Sequence, residues 1–218
     1  MSVDTHGRRA AQDLIRAAEQ RGPVPALERL RRRHRHRRLG RAGLAVATGK
    51  AQLAEVAVGP SGVWVLNRRH DKPDALVRVD PATDAVLARL PVGGVVSRLA
   101  VGEDGGVWLY RTAMTLVRPE LVRVDPSTNR VADTIALPPG PPGIPTGASA
   151  LLVAGGSVWL ADQHNRLFQV DPASRRVHEV TDGGHSLAID HLAYAGGWVW
   201  GNWSLLLHRI DPGPERSP

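Results

Sequence analysis

Short apolar runs separated by Gly- or Pro-containing turns recur from about residue 44 to the end of the chain. Within several of them apolar and polar positions alternate. Arg78 interrupts Leu76–Val79 and Arg123 interrupts Leu121–Val124, the period-two pattern of a half-buried strand. Leu99–Val101, Val63–Val65, Val158–Leu160, Val86–Leu90 and Val131–Ile135 read as further short strands.

The runs fall into four repeats. Each carries a Val-Trp marker (Trp64, Trp108, Trp159, Trp200) and, later, an Asp-Pro marker beginning at Asp80, Asp125, Asp171 and Asp211; both sets recur every 40 to 51 residues. Asp accepts local backbone bonds and Pro pre-sets φ, so Asp-Pro-x-Thr/Ser predicts a tight turn between a third and a fourth strand. Four strands per unit at this spacing predict an all-β chain, a small β-propeller of about four four-stranded blades.

The fourth repeat stops at its Asp-Pro turn. Residues 44–59 align without gaps on residues 87–102, which puts Leu44–Thr48 where a fourth strand belongs. That N-terminal strand is expected to pair with the last blade, closing the ring and hiding two strand edges; the alternative is a truncated piece of a larger propeller. The propeller domain is assigned to residues 43–218 and a basic N-terminal arm to 1–42. In the arm, Arg9–Gln20 and Ala26–Arg38 suit short helices. A Pro/Gly-rich stretch, 136–149, reads as a surface connector between blades, or as a polyproline face for a partner.

Composition changes this picture in three ways. There are no cysteines, which excludes disulfides and thiolate metal sites. The net charge of +7 is uneven: residues 1–50 hold 13 Lys/Arg against four acids, residues 51–218 hold 15 against 17. The start of the sequence has no apolar run of the secretory kind, and Leu39–Thr48 has ten residues with Arg41 among them where a membrane span needs about 20. The expected location is cytoplasmic or membrane-associated.

The string 156–180, GSVWLADQHNRLFQVDPASRRVHEV, resembles the repeat of YVTN-type and virginiamycin-B-lyase-like β-propellers. The resemblance covers residues 44–212 and implies blades around a channel, usually more than four. It implies a binding or surface protein, with a lyase as the minority enzymatic case. The stretch 28–47, ERLRRRHRHRRLGRAGLAVA, resembles the juxtamembrane segment of actinobacterial single-pass proteins with an extracellular propeller.

Candidate chemistry lies in the arm and on one rim. Arg31, Arg32, Arg33, Arg35, Arg37 and Arg38, with two histidines between them, attract phosphate of anionic lipid or of nucleic acid. No aromatic interrupts the run, which disfavours base stacking and makes nucleic acid the weaker choice. A solvated arm is the plain alternative. The marker tryptophans read as packing between blades. In a propeller, the loops after the second and fourth strands share a face, which gathers His70, Asp71, Asp162, His164, His185, Asp190 and His191. Such a rim suits binding of a protein or small ligand; metal-assisted lyase chemistry is the alternative, and a chance cluster of loop histidines is the bland one. The sequence calls for no cofactor. The expectation is a non-enzymatic binding module, monomeric or oligomeric, with a truncated remnant as the further alternative.

Overall fold

The computed structural model describes residues 51–69, 74–112, 118–142, 144, 146–182, 185–186, 188–203 and 206–212. The described residues form four antiparallel sheets in chain order. The first holds β1 (Ala51–Gly59), β2 (Gly62–Arg69), β3 (Ala75–Val79) and β4 (Val86–Pro91). The second holds β5 (Val95–Val101), β6 (Val107–Thr112), β7 (Pro119–Asp125) and β8 (Arg130–Ala136). The third holds β9 (Ala148–Ala154), β10 (Ser157–Asp162), β11 (Leu167–Asp171) and β12 (Arg176–Asp182), with the two-residue β13 (His185–Ser186) added at its edge. The fourth holds β14 (His191–Ala195), β15 (Trp198–Trp203) and β16 (Leu206–Ile210).

Register makes the repeats superimposable rung by rung. Trp64 lies between Ala57 and Arg78, and Trp108 between Ala100 and Arg123. Trp159 lies between Leu152 and Gln169, and Trp200 between Ala193 and Arg209. The first three tryptophans pack on the following sheet as expected, at 0%, 2% and 0% exposure. Arg78 and Arg123 stack over the indoles of Trp64 and Trp108, 5.3 and 5.9 Å from the ring centroids. Polar ties reinforce the aromatic contact: the Gln169 amide donates to the Pro212 carbonyl of the next repeat at 2.8 Å.

The Asp-Pro turns form as the side-chain chemistry dictates. Asp80 accepts from the Ala82 N–H at 2.8 Å and the Thr83 hydroxyl at 2.9 Å. Asp125 and Asp171 repeat this with Ser127 and Thr128, and with Ala173 and Ser174. These donors hold the carboxyls of Asp80 and Asp125 below the usual range. Four residues after each aspartate the backbone is left-handed: Asp84, Asn129 and Arg175 have φ of 60°, 52° and 58°.

Two expectations differ from what is seen. The third sheet has five strands, because Thr181 and Asp182 pair antiparallel with Ser186 and His185. Near the start of the 136–149 connector Leu137 is buried and its N–H donates to the Pro119 carbonyl at 2.9 Å, while the described residues from 138 to 147 are half-buried or exposed. The closing strand Leu44–Thr48 and both arm helices lie outside the described residues, as does the arginine run. Among the described residues no helix is long and apolar enough to cross a membrane.

Candidate functional site

The rung two residues beyond each marker tryptophan fixes a set of equivalent positions on the innermost strands. Leu66 faces Glu55, Tyr110 faces Arg98, Ala161 faces Ala150 and Asn202 faces His191. Glu55, Arg98, Ala150 and His191 therefore occupy the same place in four consecutive sheets. They line one groove of about 530 Å³, together with Ser149, Leu151, Asp190 and Leu192. Two acids, one guanidinium and one imidazole share it with three apolar side chains, and the small Ala150 leaves room.

Arg98 is held by its backbone neighbours. Its Nε donates to the Ser149 carbonyl and its Nη1 to the Ser97 carbonyl, both at 2.8 Å. Ser149 is fixed in turn, its hydroxyl donating to the Ile189 carbonyl at 2.7 Å. Glu55 is the strained member. Its Oε2 is buried with no hydrogen-bond partner among the described residues. Desolvation pushes its carboxyl up, against the lowering effect of Arg98, the Leu99 N–H and Arg68. A buried acceptor without a donor is what a ligand's N–H or O–H would satisfy.

The sequence-derived rim separates into two groups. Asp190 and His191 fall in the groove, both exposed. Asp162 and His164 do not: they build the loop between β10 and β11. Asp162, 4% exposed, accepts from the N–H groups of His164 and Arg166, each at 2.9 Å, and pairs with the Arg166 guanidinium at 2.7 Å. Arg166 donates to the Pro139 carbonyl at 3.0 Å, and the His164 ring lies against Gly140. These contacts tie the start of β11 and its preceding loop to the connector. His185 is described only in its backbone, in β13; His70 and Asp71 lie outside the described residues. Among the described residues no three His, Asp or Glu side chains are grouped to hold a metal ion.

Glu55 and Arg98 escaped the reading of the loops because they sit on strands. A signal existed: the gapless match of 44–59 on 87–102 places Glu55 opposite Arg98, a charged pair at one repeat position.

No family model matches the sequence, and no curated protein matches it. Four consecutive antiparallel sheets, joined through tryptophan-bearing faces, define a propeller-like repeat fold. Solved structures agree on the fold. Virginiamycin B lyase from Staphylococcus aureus matches at 13% identity and a TM-score of 0.51, over 71% of this chain and 49% of that one. YCF48 bound to D1 peptide matches at 12% and 0.51, over 71% and 49%. The extracellular domain of a one-component system from B. thetaiotaomicron matches at 14% and 0.54, over 79% of this chain and 22% of that one. The chain thus spans about half the length of two of these and less of the third.

Proposed function

We propose that this chain is a non-enzymatic, propeller-type binding module whose ligand seats in the groove of Glu55, Arg98, Asp190 and His191. The observation that carries the reading is the equivalence of Glu55, Arg98 and His191 on one rung beside a small Ala150. Groups of both signs on rigid strands favour a compact polar ligand with a donor for Glu55 and an acceptor for Arg98, which describes a peptide end or an amino-acid-like molecule. YCF48, a neighbour in fold, holds a peptide.

Ligand-observed NMR of the intact chain with short peptides and amino-acid-like fragments tests this. Binders should be found, and Arg98→Ala and Glu55→Gln should each weaken them at least about tenfold, a loss of about 1.4 kcal/mol. Binders indifferent to both substitutions would place the site elsewhere. For the arm, attachment to anionic lipid is proposed from charge alone, six arginines within eight residues. Replacing those arginines by glutamine should abolish sedimentation with vesicles containing phosphatidylserine.

A further inference from the structure

The junctions between consecutive sheets repeat by register, and the second lacks what the first and third hold. Arg78 and Gln169, the rung partners of Trp64 and Trp159, donate to the carbonyls of the next Asp-Pro turns, at Pro126 and Pro212. Arg123, the rung partner of Trp108, makes no such bond to Pro172; it pairs with Asp104 of its own sheet at 2.8 Å. The indole N–H groups differ likewise. Those of Trp64, Trp159 and Trp200 donate to Ser61 Oγ and to the Ala154 and Ala195 carbonyls at 2.9, 3.3 and 3.1 Å. That of Trp108, a residue 2% exposed, has no hydrogen-bond partner among the described residues. The turn before it is one residue longer, since Trp108 pairs with Ala100 eight positions back where the others pair seven back. This turn closes on itself: the Gly105 N–H donates to the Gly102 carbonyl and the Gly106 N–H to Asp104, both at 2.9 Å.

A cavity of about 470 Å³, the size of a small-molecule pocket, opens at this second junction, with Glu103, Asp104, Trp108, Arg123, Gly156 and Pro172 in its lining. It shares no lining residue with the groove of Glu55. The first junction shows what fills such a place. There the Ser61 hydroxyl accepts from Trp64 and donates to the Gly105 carbonyl of the next sheet at 2.8 Å. Gly156 is the counterpart of Gly105, three residues before the next marker tryptophan. A Cβ on Gly105 would lie 3.3 Å from the Ser61 Cβ, whereas one on Gly156 meets nothing within 4 Å. We propose that the second junction binds a neutral polyol, one hydroxyl of which stands where Ser61 stands in the first. A hydroxyl accepts and donates at once, which suits an indole N–H set beside backbone carbonyls. A simple cation offers nothing to the indole N–H. The carboxylates of Glu103 and Asp104 outnumber Arg123, so they repel an anion and accept from further hydroxyls.

Indole N–H signals in nitrogen–proton NMR spectra of the intact chain read the site directly. The Trp108 signal is identified by its loss in Trp108→Phe, or by its shift in Ala173→Phe. Titration with myo-inositol or glucose at millimolar concentration should move that signal saturably and leave the other indole signals in place. Ala173 is an exposed member of the lining whose backbone N–H, not its side chain, bonds to Asp171 at 2.9 Å. Ala173→Phe should therefore fold and weaken the binding at least about tenfold. Glu55→Gln should leave it unchanged, which keeps this site apart from the groove. No movement of the Trp108 signal with either polyol overturns the proposal. So does equal movement with acetate or ethylammonium, binding that Ala173→Phe leaves intact, or binding that Glu55→Gln removes.

Discussion

Replacing Asp162 by Ala decides whether the loop after β10 is scaffold or site. Its carboxylate, in a side chain 2% exposed, accepts from two backbone N–H groups and pairs with Arg166, itself 18% exposed. Each orphaned N–H costs about 1 kcal/mol, and the lost charge pair adds a comparable amount at this burial, giving about 3 kcal/mol in all. The control is Arg175→Ala, which removes an ion pair to Asp133 whose side chains are 64% and 22% exposed; that should cost at most about 0.5 kcal/mol.

Urea unfolding followed by tryptophan fluorescence, at one protein concentration, measures both. With a slope of about 2 kcal/mol per molar urea, Asp162→Ala should lower the midpoint by about 1.5 M and the control by about 0.25 M or less. The slopes must stay equal for the comparison to hold. If Asp162→Ala costs no more than the control, the carboxylate does not organise the loop, and its assignment as scaffold fails.

Three further outcomes follow from single observations. Arg175 sits at φ 58°, where a side chain is strained, so Arg175→Gly should be about 1 kcal/mol more stable than Arg175→Ala in the same urea assay. The Tyr110 hydroxyl is buried with no partner among the described residues, and burial above all raises its phenol; Tyr110→Phe should therefore gain about 1 kcal/mol, and a loss of that size would reveal a hidden acceptor. Glu55 is raised above its ordinary 4.5, so its ionisation opposes folding as pH climbs through and above that value. The stability of Glu55→Gln relative to the parent should thus increase from pH 4 to pH 7 in parallel urea titrations; a flat difference would contradict the burial of Oε2.

The fold was legible because its signals are local and repeated. Trp64, Trp108, Trp159 and Trp200 set the second strand of each sheet, and the Asp-Pro turns restate the third and fourth with side-chain bonds that need no tertiary context. The site was less so. Grouping histidines by loop treated His164 and His191 alike, although one clamps a connector through Asp162 and Arg166 and the other lies on the innermost rung. Loop residues carry no period from which direction can be read, whereas strand residues do. The exposure of Leu207 was invisible for a different reason: it sits in the same local pattern as Leu76, yet is 67% exposed where Leu76 is 0%.

The groove's composition argues that it is kept for a purpose other than packing. Other charged groups of the body are well satisfied: Asp162 accepts from two backbone N–H groups and from the Arg166 guanidinium, and Arg111 meets Glu120 at 2.6 Å and the Val92 carbonyl at 2.7 Å. On the inner rung a leucine at position 55 would remove the desolvation penalty and the orphaned Oε2 together, as Leu99 and Leu66 show for nearby strand positions at 5% and 0% exposure. Asp162 is satisfied whereas Glu55 is left half-satisfied, a local inconsistency of the kind that accompanies binding sites. Titrating a bound peptide end against Glu55→Leu separates the two terms, since stability should rise while affinity falls. A variant that gained stability without losing affinity would reduce the rung to an uncorrected packing flaw.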